Sequence, residues 1–543
     1  MLSVIDWFGF TLIVFLIILL WAFVRSAAKG YRSTDNIRNF FILANDLEWN
    51  PFILSVCSTI FSVGNFIVPW AVFGYFYGKG AYVLSIIVHF FNFLGWQWFS
   101  KHVENYTSIE RYNGSVHEFI FLSYSDATQN QNGKNAPEDT ERPGDESEPS
   151  TDEGNGGEPA QPGRSPKTEQ AERLRTLAAV PTLIGLVLVL LLEVFVGAEI
   201  LHQTLGTDLM SSLIFIIAIM SFYTAIGGYR AVIDTDIIQF WFVVIGAALA
   251  TLFISTIPDT EFMAYSDQFK PGFIQPVISS GQWIYYISVI VMSAGWFIVS
   301  MDIWQRNKAA NFFRTSDIGN KISAAVLCLI SFFFIWIGIQ ISLLDIDTGN
   351  PIIAALELEY SGALYSICMG VFAVSILAAT FSTADTFLSV ATHTAVIDLL
   401  FPWVGVSSYN TVSEKEGDFY LSRSRILVLF IGLGASLVGA VAFSMGLLSD
   451  AFNLFFVAYS VQYALLLVVI MPIFGFSKIK PAKYAVICGV ISSFVFGVIL
   501  IAINAYGISS ILGHSVSTLI GWIPLITVIF PFITIVATYP FSK

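Results

Sequence analysis

The chain has 543 residues, of which 55% are hydrophobic and 12% are charged, with a mean hydropathy of +0.72 and a net charge of −13. A soluble domain carries about 25% charged residues, so this composition excludes a soluble protein and indicates a polytopic membrane protein. The sequence contains no phosphate-binding loop, nucleotide fingerprint or hydrolase nucleophile motif. We therefore expect neither ATP-driven transport, nor an enzyme, nor a nucleic-acid-binding protein.

Thirteen apolar segments are long enough to cross a bilayer as helices. They lie near residues 7–26, 51–77, 80–99, 174–202, 209–226, 237–257, 283–301, 321–344, 361–392, 424–446, 451–474, 483–504 and 515–538. With the N-terminus outside and the C-terminus in the cytoplasm, 24 of the 26 Lys and Arg residues fall in or beside cytoplasmic segments. The prediction is an all-α multi-pass protein of the cell membrane with about 13 transmembrane helices, the first of them a retained helix rather than a signal peptide.

The second span contains a stretch of small and β-branched residues with a glycine, from Ser58 to Asn65. A membrane helix can unwind at such a place if it lines a cavity. The seventh span, five spans later, has a similar stretch at Ser293-Ala294-Gly295. Interrupted helices at matching positions of two five-helix halves point to a binding site near the membrane midplane, although either stretch alone could be a packing contact.

A polar insert separates the third and fourth spans. Residues 126–172 contain twelve acidic and four basic residues and no Val, Ile, Leu, Met, Phe, Tyr, Trp or Cys. Such a segment cannot bury enough apolar surface to fold, so we predict a disordered cytoplasmic loop that acts as a solvated tether.

Carboxylates also occur within or beside the spans. Glu193 lies well inside the fourth span, where it is either functional or protonated and hydrogen-bonded. Asp234 and Asp236 lie at the cytoplasmic start of the sixth span, where a helix-capping role competes with a functional one.

The ninth span carries a polar stripe in the sequence SILAATFSTADTFLSVATHTA. At 100° per residue, one third of the helix circumference holds Ala379, Ser382, Asp385, Thr386 and Ser389, with Thr383 just beside it. A carboxylate among hydroxyls suits a small hard cation such as Na⁺. The alternative is that the hydroxyls bond to carbonyls of their own helix or join neighbouring helices.

Three sequence matches make the chain resemble the sodium:solute symporter family. YTAIGGYRAVIDTDIIQ (Tyr223 to Gln239) resembles the signature between the fourth and fifth core helices of that family, and LAATFSTADTFLS (Leu377 to Ser389) resembles its eighth core helix. NFFILANDLEWNPFILSVCSTIFS resembles the segment that leads into its first core helix. DIWQRNKAAN (Asp302 to Asn311) is a weaker match to the stretch after its sixth core helix.

The resemblance implies a LeuT-type fold with two inverted repeats of five helices. In this chain the first repeat would be residues 51–257, including the insert, and the second repeat residues 283–474. Residues 1–50 would supply an extra N-terminal helix and a cytoplasmic loop, and residues 475–543 two additional C-terminal helices.

The resemblance also implies Na⁺ between core helices 1 and 8. Its ligands would be the carbonyl groups of Ser58, Phe61 and Ala379 and the hydroxyl groups of Ser382 and Thr383. A second Na⁺ that some members bind would correspond to Asp236, Ser382, Asp385 and Thr386. Asp385 departs from those members, in which a hydroxyl suffices, and could make the site tighter or proton-linked.

The substrate pocket is expected beside the first-helix break, with Asn65 at a position that sugar-transporting relatives use for substrate. Glu193 and Gly295 are further candidates for this pocket. The leading hypothesis is Na⁺-driven import of a small polar solute across the lipid bilayer by alternating access. No obligate protein partner is expected. The alternative is a proton-coupled carrier that uses Glu193, Asp236 or Asp385; a sensor and an uncoupled carrier are weaker interpretations.

Overall fold

The computed structural model of this chain describes residues 6–125, 165–256, 283–444, 451–505 and 522–542, apart from gaps of one to four residues within these ranges. Most of the predicted acidic insert, residues 126–164, therefore lies outside the described residues. The described chain is built from helices, and its only β-type pairing is an isolated bridge between Leu47 and Ala310. The described α-helices of five or more residues are α1 (Trp7–Ser33), α2 (Ile37–Ile42), α3 (Trp49–Ile60), α4 (Val68–Tyr77), α5 (Gly80–Thr107), α6 (Val116–Tyr124), α7 (Pro166–Leu205), α8 (Leu209–Ile254), α9 (Trp283–Val299), α10 (Met301–Ala309), α11 (Phe313–Leu343), α12 (Pro351–Glu357), α13 (Ala363–His393), α14 (Glu414–Ser444), α15 (Ala451–Tyr463), α16 (Leu466–Ile470), α17 (Ile479–Ala505) and α18 (Trp522–Thr538).

The number of membrane spans follows from helix length and from three bends. Among the described residues, ten helices are long and apolar enough to cross a membrane, and the bent pairs α3–α4 and α9–α10 make two more. Helix α8 has 46 residues, or about 69 Å, which is more than twice the thickness of the hydrocarbon core. It is broken at Gly228, whose backbone has φ 58° and ψ −156°, a conformation that only glycine adopts readily. Counting the two halves of α8 separately gives the thirteen spans predicted from the sequence.

The first predicted helix break is present where the sequence indicates it. Helix α3 ends at Ile60, a π-helical turn spans Val63–Ile67, and α4 continues at a bend of 72°. Phe61 and Ser62 lie between the two helical segments. The carbonyl groups at the end of α3 consequently lose their helical partners.

The second break lies five residues beyond the predicted stretch, which is a correction. Helix α9 continues through Ser293 and Gly295, and the chain bends by 41° at Ser300. The Ser293 hydroxyl donates to the Val289 carbonyl of its own helix at 2.8 Å. A Cβ atom at Gly295 would lie 3.0 Å from the Tyr463 ring. Gly295 therefore serves helix packing, and Ser293 belongs to a continuous helix rather than to an unwound segment.

The end of the predicted insert is also corrected, because residues 166–172 are helical. Helix α7 begins at Pro166, and its N-cap residue Ser165 accepts a hydrogen bond from the Thr168 N–H at 3.2 Å. Glu169 in the first turn pairs with Arg173 at 2.6 Å. Ser at the N-cap and Pro at the first position form a helix-start signal that overrides the polar composition.

Helix α13 forms the centre of the molecule. Almost all of its residues from Cys368 onward are buried, and it packs against α1, α7 and α8. The polar stripe of the ninth predicted span thus faces protein on all sides, which places Ser382, Asp385 and Thr386 where uncompensated polar groups would be costly.

A buried polar layer joins the α5–α6 connection to helix α13. Asp398, just beyond α13, accepts hydrogen bonds from Ser115 at 2.7 Å, from His117 at 2.8 Å and from Arg175 at 3.0 Å. Beside it, Glu118 accepts from the backbone and side-chain amides of Asn113 at 2.6 and 2.9 Å.

We expect Glu118 to make the stability of the protein fall as the pH rises from about 5 to 7. Burial raises the pKa of the Glu118 carboxyl from its ordinary 4.5 to about 7, so the folded state holds a proton that the unfolded chain has released. The shift corresponds to about 3 kcal/mol, lost progressively over this interval. Unfolding temperatures of detergent-solubilised protein between pH 5 and 8 should show this slope, and Glu118→Gln should flatten it.

Glu416 offers a matched control, because it is exposed and its hydrogen bonds with Ser413 lower the pKa of its carboxyl. Glu416→Gln should leave the slope between pH 5 and 7 in place. An unchanged slope in Glu118→Gln would contradict the assignment to Glu118.

Candidate functional site

The hydroxyl pair of helix α13 meets the end of helix α3. The Thr383 hydroxyl donates to the Thr59 carbonyl at 2.9 Å, and the Ser382 hydroxyl lies 2.8 Å from the Ser58 hydroxyl. Among the described residues, the Ser58 carbonyl accepts the Phe61 N–H at 3.2 Å, as in a tightened last turn before the break. Ala379 lies one turn before Ser382 on the same helix and is fully buried.

Neutral hydroxyl and carbonyl oxygen atoms therefore converge at the first helix break. Such a donor set suits a hard cation, and within the described residues no three His, Cys, Asp or Glu side chains are grouped so that they could hold a metal ion. The structure brings Ser382 and Thr383 to the end of α3, where they contact the Ser58 hydroxyl and the Thr59 carbonyl rather than the predicted Ser58 carbonyl. Ala379 lies inside the continuous helix α13, and Phe61 lies at the break.

Asp236 lies directly beside this set of oxygen atoms. Its Oδ1 atom accepts the Ser382 hydroxyl at 2.7 Å, and its Oδ2 atom accepts the Ser55 hydroxyl at 2.5 Å. Because the one Ser382 proton is directed to Asp236, the Ser58 hydroxyl is the donor in its contact with Ser382, and one lone pair of the Ser382 oxygen stays available for a cation.

A buried arginine that sequence reasoning missed completes this region. Arg306 on α10 is fully buried, and its Nη2 atom lies 3.1 Å from Asp236 Oδ2 and 3.2 Å from the Thr386 hydroxyl. Its Nε atom donates to the Ser55 hydroxyl at 2.9 Å. The signal was present in the stretch DIWQRNKAAN, but the sequence places this arginine at the end of a span and not beneath the helix break.

Asp385 is hydrogen-bonded to Tyr223 rather than to Arg306. Its Oδ2 atom accepts the Tyr223 hydroxyl and lies 3.5 Å from the Thr235 hydroxyl. Its Oδ1 atom is buried and has no hydrogen-bond partner among the described residues. One oxygen of a buried carboxylate is thus free to take a cation or a proton.

Glu193 holds the unwound segment of the first broken helix. Its carboxylate accepts the Ser62 hydroxyl and the Val63 N–H, the latter at 3.2 Å. The side chain is fully buried, and the carboxylate satisfies donors that the helix break releases.

A cavity of about 120 Å³ lies beside the first helix break, next to Asn65 and Phe66. Aromatic and amide side chains line it, among them Asn65, Trp70, His89, Asn92, Trp296 and Tyr459. None of its described lining residues is Asp, Glu, Lys or Arg, and neither Glu193 nor Gly295 belongs to the lining. The Asn92 Oδ1 and Trp296 Nε1 atoms are buried and unpaired in the described structure, so they can bind a polar solute.

The sequence profile of the sodium:solute symporter family matches residues 167–476, which is more than half of the chain. The chain belongs to this family. It is therefore a membrane transporter rather than an enzyme, and the resemblance read from the three motifs is confirmed.

Solved structures resemble this symporter-family chain to different degrees. A Na⁺-coupled sialic acid symporter in a substrate-bound outward-open state aligns with a TM-score of 0.66 and 14% identity, over 99% of both chains. A manganese transporter from Eremococcus coleocola aligns with a TM-score of 0.44 and 11% identity, over 90% of this chain and 94% of that chain. No curated protein matches the chain. The first of these structures confirms the predicted all-helical, LeuT-like fold class.

Family membership fits the arrangement at the first helix break. The family is named after Na⁺, its coupling ion. In a symporter the coupling ion is carried together with the solute, so Na⁺ is a substrate rather than a resident cofactor. Neutral oxygen atoms bind Na⁺ more weakly than carboxylates do, as suits an ion that must load on one side and leave on the other, and oxygen atoms of this type lie around Ser58 and Ser382.

Proposed function

We propose that this protein imports a small, polar, uncharged solute together with Na⁺ by alternating access. Na⁺ binds at the first helix break, to the carbonyl groups of Ser58, Phe61 and Ala379 and the hydroxyl groups of Ser382 and Thr383. The observation that carries this proposal is the contact of the α13 hydroxyl pair with Ser58 and Thr59 on the broken helix. The proposed orientation has the N-terminus outside and the C-terminus in the cytoplasm, as the distribution of Lys and Arg predicts.

The character of the solute follows from the cavity beside the break. Its aromatic walls bury apolar parts of a ligand, while Asn65, Asn92 and Trp296 offer hydrogen-bonding groups without a formal charge. A charged solute would have no counter-charge among the described lining residues. A polar solute with an apolar face and no net charge is the class that this lining favours.

The test is Na⁺ binding to purified protein, followed by tryptophan fluorescence during titration with NaCl against choline chloride. The cavity contains Trp70 and Trp296, so a conformational response to Na⁺ should change the emission. A saturable, Na⁺-specific response supports the proposal and opens a screen of neutral, zwitterionic and charged solutes in saturating Na⁺. A protein that responds to NaCl and choline chloride alike would contradict it.

A proton-coupled carrier on the same fold is the second candidate, and the unpaired Oδ1 atom of Asp385 favours it. Asp385, Asp236 and Glu193 would be the groups that carry the proton. Uptake into proteoliposomes that follows a pH gradient and persists without Na⁺ would support this candidate. Uptake that requires Na⁺ and is indifferent to the pH gradient would remove it.

A further inference from the structure

The C-terminal end of helix α1 carries a cluster of positive charges on its outer surface. A groove of about 500 Å³ is lined there by the exposed residues Arg25, Ala28, Lys29, Arg32 and Ser33. At 100° per residue, the three cations fall within about 60° of the helix circumference. No Asp or Glu belongs to the described lining. The groove therefore favours an anionic ligand.

Two of the three cations have no carboxylate partner among the described residues. The Lys29 Nζ atom lies 2.7 Å from Asp234 Oδ2, which holds this side chain at the edge of the groove. The Arg25 guanidinium group lies over the Trp21 ring, 5.4 Å from its centroid. Arg32 forms no ion pair with a described residue. The N–H groups of both arginines are thus available to a ligand.

The same side of α1 is apolar in the two turns before the cluster. Ile17, Ile18 and Trp21 are exposed there. In a protein that spans a membrane, exposed aliphatic side chains face acyl chains, and a Trp next to charged residues is typical of the level of the lipid headgroups. An apolar surface that ends in two guanidinium groups is complementary to a phospholipid, with the chains along α1 and the headgroup at Arg25 and Arg32.

We propose that the C-terminal end of α1 binds the headgroup of an anionic phospholipid. In the proposed orientation this end of α1 lies at the cytoplasmic leaflet, whose surface potential is negative. A guanidinium group donates two parallel hydrogen bonds to phosphate oxygen atoms, so Arg25 and Arg32 bind the phosphate, and Lys29 adds a further positive charge. The site does not depend on which ion or solute the protein carries.

The bound lipid would support the contact between α1 and the broken helix α8. The two helices approach so closely that a Cβ atom at Gly30 would lie 2.3 Å from the Gly227 carbonyl oxygen, next to the break at Gly228. The Thr34 hydroxyl lies 2.6 Å from the Gly30 carbonyl oxygen and 3.5 Å from that of Gly227. A ligand that binds this end of α1 only in the folded protein should therefore raise the unfolding temperature.

The test is the binding of phosphatidylglycerol to the full-length protein in detergent, measured by native mass spectrometry and by the unfolding temperature. Phosphatidylcholine with the same acyl chains is the reference lipid. We expect phosphatidylglycerol to bind more tightly and to raise the unfolding temperature further. Arg25→Gln combined with Arg32→Gln should weaken its binding by about tenfold or more, because two cations at the lipid surface are lost. Equal binding of the two lipids to wild-type protein would overturn the proposal.

A second double variant separates a defined site from a general effect of surface charge. Lys480 and Lys483 are exposed at the start of α17, on the same side of the membrane in the proposed orientation. Lys480→Gln combined with Lys483→Gln should bind phosphatidylglycerol as wild type does, and an equal loss in both double variants would overturn the assignment to α1. Unfolding temperatures without added lipid show that each variant is folded. Glycerol 3-phosphate should not replace the lipid; if it stabilised the protein as well as phosphatidylglycerol does, the groove would be a phosphate site and not a lipid site.

Discussion

Replacing Ser382 and Thr383 together by alanine is expected to raise the Na⁺ concentration for half-maximal binding by about tenfold or more. Each substitution removes one of the proposed oxygen ligands, and each lost oxygen should cost above about 1 kcal/mol. In the structure these hydroxyls contact the end of α3, at Ser58 and Thr59. The measurement is the NaCl titration of tryptophan fluorescence in the double variant and in wild-type protein.

Thr392 provides the control on the same helix. Its hydroxyl is buried like those of Ser382 and Thr383, but it donates only to the Leu388 carbonyl one turn earlier, at 2.8 Å. Thr392→Ala should therefore leave the Na⁺ response as it is. If the double variant also kept the wild-type Na⁺ dependence while well folded, the first sodium site would have to be placed elsewhere.

The architecture was predictable because the membrane restricts what a sequence can do. Apolar stretches of about 20 residues must form helices. The distribution of Lys and Arg among the loops then indicates whether the number of helices is odd or even. The unwound segment between Ser58 and Asn65 was also readable, since small residues and a glycine there offer little resistance to bending. The polar stripe around Ser382 was recognisable by its helical spacing alone.

The position of the second bend could not be predicted from the local sequence. Ser293 and Gly295 have the composition of a helix break, yet Gly295 packs α9 against Tyr463 and Leu466, and the Ser293 hydroxyl bonds to the Val289 carbonyl of its own helix. The chain bends instead at Ser300, whose hydroxyl donates to Asp302 as the next helix begins. Which of two small residues bends a helix depends on the neighbours against which it packs, and these are distant in sequence.

The partners of the buried charged residues could likewise not be predicted from the sequence. Arg306 follows the bend at Ser300, so only the turned direction of α10 brings its guanidinium group beneath the first helix break, 3.1 Å from Asp236. A span boundary drawn on a sequence would leave the same arginine in the cytoplasmic interface. Asp385 was visible as an ionisable residue in a span, but its pairing with Tyr223 requires the packing of α8 on α13.

Glu193→Ala is expected to abolish uptake and to lower the free energy of unfolding by about 2–5 kcal/mol. The substitution leaves the Ser62 hydroxyl and the Val63 N–H without their acceptor, in a place where water cannot replace it. Both donors belong to the unwound segment between the proposed Na⁺ ligands of α3 and the solute cavity at Asn65. Loss of the carboxylate should therefore disturb ion and solute binding together.

Glu193→Gln separates the hydrogen-bonding role of this carboxylate from its ability to carry a proton. The amide keeps one oxygen acceptor for the Val63 N–H but cannot take up and release a proton, so retained Na⁺-driven uptake in this variant would assign Glu193 to holding the helix break. Loss of uptake in a variant that is as stable as wild type would move Glu193 into the proton-coupled mechanism. Glu199→Ala is the control on the same helix, because Glu199 is only partly buried and its nearest hydrogen-bond partner is Gln203 at 3.5 Å. If Glu193→Ala were as stable and as active as Glu199→Ala, the unwound segment would not depend on this carboxylate, and the geometry of the first sodium site would have to be maintained by the α13 contacts alone.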